Sequence, residues 1–276
     1  MMKKELASVV KVAVSVLVVL SLCLVPSCKK APEGSGTETA SQPPTTLTAT
    51  PAPAGTETAE STTVAKPAAP AADVPAGWAP VEIDLPKPMF VGTPQDTKVP
   101  NLEKPLGKAR PPFFAPAGTK NVALGKLVTS SDEEPIIGEI DYITDGDMEA
   151  ADGSYVELGP FRQDITIDLE AKHEIYAVVV WHYHKQARVY FDVVVQVADD
   201  ADFITNVKTV FNNDIDNTAG LGVGEDKHYS ETNEGKLLDV IAKGVKARYV
   251  RLYSNGNTSN DLNHYIEVAV YGKPVN

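Results

Sequence analysis

The sequence has little cysteine: only Cys23 and Cys28 carry a thiol, and both lie near the N-terminus. The rest of the chain therefore cannot form an internal disulfide in any redox compartment. Neither a catalytic serine motif nor an HExxH zinc motif is present, and the carboxylate pair of Asp199 and Asp200 falls in a predicted turn. These absences disfavour an enzyme and favour a non-catalytic binding protein.

Basic residues are also scarce, because 25 Lys and Arg stand against 37 Asp and Glu, which gives a formal net charge of −12. Nucleic acids and anionic lipids are bound by clustered Lys and Arg that neutralise phosphates. We therefore expect no nucleic acid partner. A neutral ligand or a cation suits this charge balance, and the composition leaves the oligomeric state open.

No hydrophobic run is long enough to cross a bilayer comfortably. Residues 12–25 form an apolar and small-residue run, shorter than the roughly 20 residues of a membrane-spanning helix. A basic segment with Lys3, Lys4 and Lys11 precedes it. This arrangement is typical of a secretory signal peptide, which we assign to residues 1–27.

The signal ends in Val25, Pro26, Ser27 and Cys28, which resemble the lipobox of bacterial lipoproteins. The resemblance implies that Cys28 is lipidated and anchors the chain in the bacterial cell envelope, with no other membrane contact. Lys29 stands where an inner-membrane retention signal would have Asp, so the outer membrane is favoured. An ordinary signal peptide with an incidental cysteine is the alternative.

Two segments of unusual composition follow. Residues 28–77 consist mainly of Ala, Pro, Thr, Ser, Glu and Gly, and such a tract predicts a disordered stalk because it cannot bury enough apolar surface. Residues 78–120 keep many prolines but add large apolar side chains. We expect this proline-rich extended arm to lie along the surface of the following domain; a docking segment for a partner protein is the alternative.

Residues 121–276 contain short β-like runs separated by turn residues. Residues 164–169 alternate strictly between polar and apolar side chains, and residues 175–181 form a continuous apolar strand. No window shows a persuasive amphipathic helix. Many short strands without crossover helices predict an all-β fold, an antiparallel sandwich or barrel.

Five segments in register resemble a discoidin (factor V/VIII C-type) domain. They are NVALGK at 121–126, ITDGD at 143–147, IDL at 167–169, YVRL at 249–252 and IEVAVYG at 266–272. The resemblance implies an eight-stranded antiparallel jelly-roll β-sandwich with adjacent termini. In bacteria, the relatives of this type are family 32 carbohydrate-binding modules.

Residues 141–152 are rich in carboxylate side chains. Oxygen ligands of this kind are the ones that calcium prefers. An EF-hand is excluded because Ile143 occupies a ligand position and no helices flank the loop. The family resemblance implies instead a structural calcium ion held by Asp145, Asp147 and Glu267. A solvated acidic turn without metal is the alternative.

His182 and His184 alternate with Trp181 and Tyr183 at a strand end, so the imidazoles point to one face and the aromatic rings to the other. Zinc needs four ligands, and no third candidate lies nearby in sequence. We interpret the aromatic rings as core residues and expect the histidine tips to face the loops that form a ligand rim.

Sugar recognition requires planar aromatic rings for C–H faces and forked hydrogen-bonding groups for hydroxyls. The polar loops 254–264 and 212–229 supply the second kind of group, although both are also rich in ordinary turn formers. The predicted ligand-binding residues are His182, His184, Arg188, Asn257, Asn260 and His264.

The leading functional prediction is a membrane-anchored binding protein that recognises carbohydrate, such as a cell-surface glycan, through loops of the jelly roll. The alternative is a structural or adhesion protein that binds another protein through the same domain and its arm. A sugar ligand predicts exposed aromatic rings near the histidines. A protein ligand predicts a contiguous apolar patch of several hundred Å².

Overall fold

The computed structural model describes residues 74–89 and 97–275. The predicted signal peptide, the lipidation site Cys28 and the stalk up to residue 73 lie outside the described residues, so these assignments stay predictions. Within the described ranges, no helix is both long and apolar enough to cross a membrane.

Twelve β-strands and two short 3-10 helices make up the described chain. The strands are β1 (Trp78–Pro80), β2 (Phe114–Pro116), β3 (Lys120–Asn121), β4 (Val128–Ser130), β5 (Val156–Pro160), β6 (Gln163–Trp181), β7 (Val194–Ala198), β8 (Lys208–Asn212), β9 (Lys236–Asp239), β10 (Val245–Ser254), β11 (Leu262–Tyr265) and β12 (Glu267–Pro274). The 3-10 helices are Ile140–Thr144 and Ile241–Lys243. Every pairing between these strands is antiparallel.

Strand β6 belongs to both layers of a sandwich. Its first part, 163–168, pairs with β4 and β10, and the layer continues through β7 to β8. Its second part, 173–181, pairs with β9 and β12, and β12 continues to β3. Between the two parts Glu170 has a φ of 65°, a left-handed conformation that lets the strand bend.

Eight strands therefore form one continuous hydrogen-bonded sheet that folds over a common core. Ile165 and Ile167 from the first part of β6 share that core with Val178 and Val180 from its second part. Strands β5 and β11 form a separate pair. The predicted all-β, eight-stranded antiparallel jelly-roll sandwich is confirmed.

The apolar run of β6 is buried on both faces. Val178 and Val180 face the main core, whereas Ala177, Val179 and Trp181 belong to a second cluster. Strand β12 alternates in the same way and adds Ala269 and Tyr271 to the second cluster. A strand that is buried on both faces has a continuous apolar sequence instead of an alternating one.

The proline-rich arm covers this second face. Strands β1 and β2 of the arm pair with each other, and the backbone N–H of Val81 donates to the carbonyl of Phe113 at 2.8 Å. Val81, Ile83 and Phe113 pack against the second cluster, while the intervening Glu82 and Asp84 are exposed. The arm thus forms a third layer over the sandwich.

Polar contacts fix the later part of the arm. The backbone N–H of Arg110 donates to the Glu234 carboxylate, and the Arg110 guanidinium donates to the carbonyls of Glu234 and Gly235. Lys236 Nζ lies 2.7 Å from Glu103 Oε2. The backbone N–H of Glu103 donates to the carbonyl of His228 at 2.8 Å.

Gly235 lies where a side chain has no room. Its φ is 62°, and an added Cβ would lie 2.7 Å from Cε2 of Trp181. The Trp181 ring cannot easily move away, because it is fully buried and its Nε1–H donates to the carbonyl of Asn233 at 3.0 Å. Glycine is therefore required here by both backbone conformation and space.

We expect Gly235→Ala to lower the free energy of unfolding by roughly 3 kcal/mol, since the left-handed backbone costs about 1–2 kcal/mol and overpacking adds about 1–3 kcal/mol. Gly153→Ala is the matched control, because Gly153 has a φ of 97° with nothing within 4 Å of an added Cβ. Urea denaturation of both variants separates the two costs. Equal losses in the two variants would contradict the steric argument.

Candidate functional site

The six predicted ligand residues do not form an exposed rim. All but one are buried, and Asn260 is half-buried; the buried ones are His182, His184, Arg188, Asn257 and His264. The histidine tips, which we expected to face the loops of a ligand rim, are thus buried. The structure nevertheless brings Arg188 and His264 together, and it joins Asn257 to Asn260, so their ligand-binding role stays a prediction.

His182 follows directly after β6 and is a core residue. It is 0% exposed, its Nδ1 lies 2.7 Å from Glu231 Oε1, and its ring stacks on Tyr190 with centroids 4.3 Å apart. Glu231 satisfies Nδ1 of this buried imidazole, whereas Nε2 has no hydrogen-bond partner among the described residues. His184 is also buried, and its Nε2 lies 2.9 Å from the carbonyl of Met148.

A third histidine, His264 on β11, lies in a polar cluster close to the surface. Its Nε2 is 2.9 Å from Glu157 Oε2 and 3.4 Å from Nη1 of Arg188. Burial, together with the charges of Arg188 and His182, lowers the pKa of His264 to about 3. The imidazole is therefore neutral at physiological pH, and the nearby Glu157 carboxylate does not offset these effects.

Two tyrosines complete this cluster. The Arg188 guanidinium lies 4.6 Å from the ring centroid of Tyr183, and Tyr155 packs on Tyr183 with centroids 4.9 Å apart. Tyr155 is partly exposed, whereas Tyr183 and Arg188 are buried. Tyr155 and Glu157 are thus the main residues of this cluster that are exposed to solvent. The aromatic rings beside the histidines are largely buried.

The exposed aromatic ring of this end of the sandwich is Phe161, in the turn between β5 and β6. Its side chain is 79% exposed and its φ is 67°. The fully buried Asn263 holds the turn, because its Nδ2 donates to the carbonyls of Gly159 and Phe161 at 2.8 Å each. Asn263 Oδ1 accepts from the backbone N–H of Gly256 at 3.0 Å, which fixes the turn against the loop after β10.

That loop is the polar segment in which ligand residues were predicted. Asn257 Nδ2 donates to Asn260 Oδ1 at 2.7 Å and to the carbonyl of Leu262 at 2.9 Å. Asn257 Oδ1 accepts from the backbone N–H of Ser259 at 2.9 Å. Because Leu262 pairs with Pro160 of β5, this rigid loop lies directly beside the Phe161 turn.

Sequence analysis did not single out Phe161. The available signal was a Phe between Pro160 and Gln163, within a turn that joins two strands. A large aromatic residue in a tight turn has no local reason to be there. That signal indicates an exposed position but not which polar residues lie near it.

At the predicted calcium site, the environment of Glu267 gives the clearest indication that a cation could bind. It is 1% exposed; its Oε2 accepts from the backbone N–H of Gly146 at 3.0 Å, and its Oε1 has no hydrogen-bond partner among the described residues. Burial, together with the charges of Asp145 and Asp147, raises the pKa of Glu267 to about 8. A buried carboxylate with a free oxygen beside two other carboxylates fits a hard cation.

Asp145 and Asp147 each use one oxygen within the turn. Asp145 Oδ1 accepts from the N–H of Asp147 at 2.7 Å, and Asp147 Oδ1 accepts from the N–H of Glu149 at 2.9 Å. Calcium at this site would neutralise the turn and tie it to the last strand. The assignment stays a prediction.

A different trio of carboxylates lies closer together. Within the part of the chain that the structure describes, Asp192, Asp214 and Asp216 form the one group of three such side chains with ligand atoms within 4.8 Å of one another. This trio could hold a metal ion. Hydrogen bonds from Thr218 and Asn255 already reach these carboxylates.

Comparison with protein-family models gives no match, and comparison with curated proteins gives no significant match. Solved structures do resemble the chain, and several of them are carbohydrate-binding modules. Chitosan-binding module 1 of a chitosanase/glucanase from Paenibacillus sp. IK-5 is 21% identical with a TM-score of 0.37, covering 55% of this chain and 99% of that module.

Two further similar structures come from Clostridium perfringens. A module solved in complex with GlcNAc-α-1,4-galactose is 18% identical with a TM-score of 0.38, covering 57% of this chain and 96% of the module. A family 89 glycoside hydrolase is 18% identical with a TM-score of 0.41, covering 56% of this chain. The matched part spans only 15% of that hydrolase.

Proposed function

We propose that this protein is a non-catalytic carbohydrate-binding protein whose sugar site is centred on Phe161. The observation that carries the proposal is a 79% exposed aromatic ring on a left-handed backbone that the buried Asn263 holds in place. The conformation costs about 1–2 kcal/mol, and the exposed ring contributes no burial free energy. Stability does not explain this arrangement, whereas stacking on the C–H face of a sugar ring does.

Polar groups next to Phe161 suit sugar hydroxyls. Arg162, the next residue in the chain, is exposed, and its Nη1 donates to the carbonyl of Ala219. Asn260 and the exposed Asp261 lie on the adjoining loop. An aromatic platform with a few fixed polar groups is the usual composition of a small-ligand site.

The protein-binding alternative receives less support. It assigned the arm to an interface, but Val81, Ile83 and Phe113 pack on the domain's own second cluster. In this proposal the arm is a structural layer, and the stalk and the lipid on Cys28 hold the domain at the bacterial cell envelope. The lipobox at residues 25–28 and the apolar run before it support this location.

Phe161→Ala is the variant that tests the site. Residues 29–276 are screened on a glycan array, and hits are measured by calorimetry. We expect the variant to bind about tenfold more weakly, because loss of the stacked ring removes roughly 1–2 kcal/mol. Ile204→Ala is the matched control, since Ile204 is 80% exposed in the loop between β7 and β8, at the opposite end of the strands; its affinity should not change.

Two outcomes would contradict the proposal. Equal sugar affinity of wild type and Phe161→Ala would place the site elsewhere on the domain. Absence of any glycan binding by folded protein would favour the protein-binding alternative.

A further inference from the structure

A cavity of about 500 Å³ lies between the later part of the arm and strand β9. The arm contributes residues 103–108 to its wall, and the domain contributes Tyr229 and residues 232–237. A volume of this size is typical of small-ligand sites, which enclose roughly 300–1,000 Å³. The cavity contains neither Phe161 nor any residue of the predicted calcium site, so the chemistry of its wall has to be considered separately.

The wall of the cavity is positively charged, although the chain as a whole has a formal net charge of −12. Four basic and two acidic side chains line it, namely Lys104, Lys108, Arg110, Lys236, Glu103 and Glu234. Glu103 Oε2 lies 2.7 Å from Lys236 Nζ, and Glu234 Oε2 accepts from the backbone N–H of Arg110 at 3.1 Å. Each acidic side chain thus lies next to one basic residue, and the excess positive charge belongs to the two remaining lysines.

Those two lysines, Lys104 and Lys108, are exposed and take part in none of the ion pairs among the described residues. The segment that carries them is basic as a whole, since residues 97–120 contain five basic residues and one acidic residue. Charges that line a cleft attract ligands of the opposite sign. Two uncompensated cations at one cavity therefore favour an anionic ligand.

The available donors favour carboxylates over phosphates. Phosphate groups are commonly held by an arginine fork or by the N-terminus of a helix. The Arg110 guanidinium already donates to the carbonyls of Glu234 and Gly235, and neither of the two 3-10 helices contributes a lining residue. Lysine ammonium groups are compact point charges, so two of them at separate positions suit singly charged groups.

Neutral groups make up the rest of the wall. Ser230, Thr232 and Asn233 supply hydroxyl and amide groups. Met89 and Leu106 supply apolar surface, with 41% and 57% of these side chains exposed. Hydroxyl and amide groups pair with the hydroxyls of a sugar, and apolar side chains can cover its C–H faces. This mixture suits a sugar backbone that also carries negative charge.

We propose that this cavity binds an acidic oligosaccharide whose carboxylates pair with Lys104 and Lys108. The site goes beyond the proposed sugar site, because the arm builds one of its walls and Phe161 has no part in it. It does not depend on that proposed function. The arm then has a role in recognition in addition to covering the second face of the sandwich.

Calorimetric titration of residues 29–276 with tetragalacturonate tests the site, in roughly 0.15 M NaCl to screen long-range attraction between exposed charges. The fully methyl-esterified tetramer is the matched ligand, since it keeps the sugar backbone without the charge. We expect one acidic tetramer to bind per chain, and Lys104→Gln/Lys108→Gln to bind it roughly tenfold more weakly. Lys98→Gln/Lys120→Gln is the matched control, because it removes two exposed arm lysines that do not line this cavity; its affinity should not change.

Four results would overturn the proposal. If folded wild type does not bind the acidic tetramer, the site does not exist. If it binds the methyl ester as tightly as the acid, the carboxylates are not recognised. Similar losses in the two lysine variants would show a general attraction to the basic arm instead of a site in the cavity. Binding to phosphatidylglycerol vesicles without binding to the tetramer would assign the cavity to lipid headgroups.

Phe161→Ala separates this site from the proposed sugar site. The variant should keep full affinity for tetragalacturonate, and Lys104→Gln/Lys108→Gln should keep the affinity of the Phe161 site for its own ligands. Loss of tetragalacturonate binding in Phe161→Ala but not in the lysine variant would place the acidic ligand at the Phe161 turn and overturn the proposal for the cavity.

Discussion

Val81→Asp/Ile83→Asp is expected to lose about 2–4 kcal/mol of the free energy of unfolding. A fully buried aliphatic side chain contributes roughly 1.5–3 kcal/mol. Val81 and Ile83 are half-buried and contribute less than this each, but a carboxylate placed against apolar side chains adds a desolvation cost. Both residues pack on the cluster that contains Trp181 and Tyr271. Urea denaturation followed by tryptophan fluorescence and circular dichroism measures the change.

Leu85→Asp is the matched control for this experiment. Leu85 belongs to the same segment but is 47% exposed, so its substitution should change stability by no more than about 0.5 kcal/mol. Binding of a hydrophobic dye should increase only in the double variant, because release of the arm exposes the second face of the sandwich. Similar stability of the control and the double variant would show that the arm is not a structural layer.

Acidification is expected to destabilise the wild-type protein through His264. The pKa of His264 is about 3 in the folded protein because of burial and the charges of Arg188 and His182, whereas an unfolded histidine titrates near ~6.5. Between these values the unfolded chain binds more protons than the folded one. This contribution to stability is therefore complete above about pH 6.5 and is lost as the pH falls towards 3.

The expected loss is about 3 kcal/mol between pH 6.5 and pH 4, at roughly 1.4 kcal/mol per pH unit. Glu267 acts in the opposite direction, since a carboxyl pKa raised to about 8 makes the folded state more stable at lower pH. The decisive quantity is thus the difference between wild type and His264→Gln, a variant that keeps a donor towards Glu157 but does not titrate.

Urea denaturation of both proteins at pH 7, 5.5 and 4 provides this comparison. The stability of wild type relative to the variant should fall steadily with pH. Parallel pH profiles would show that the pKa of His264 is the same in the folded and the unfolded protein, so that the polar cluster gains a positive charge below about pH 6.5.

The strands of the fold could be predicted from the sequence because their signals are local. Strict alternation at residues 164–169 and a continuous apolar run at residues 175–181 place both parts of β6 correctly. The continuous run also indicates burial on both faces. It does not reveal what covers the second face, because the covering residues, Val81 and Ile83, lie far earlier in the chain.

For the histidines too, local alternation predicts the face of the strand but not the contacts that distant residues make. Alternation separates His182 from Trp181 correctly, since one contacts Tyr190 and Tyr265 within the main core and the other joins the second cluster. The burial of His182 could not be predicted, because its partner, Glu231, is 49 positions away. No local sequence pattern indicates that a distant carboxylate will pair with Nδ1 of a buried imidazole.

Sequence by itself determined the all-β class and the faces of the strands, because side-chain periodicity and composition are properties of neighbouring residues. The division into signal, stalk, arm and domain stays a prediction. Tertiary structure decided which polar groups are buried and which aromatic ring is exposed. Asn263 fixes Phe161 from 102 positions away, and Glu267 accepts from Gly146 across 121 positions. Burial and hydrogen-bond partners depend on segments that meet only when the chain folds, so they cannot be read from any local pattern.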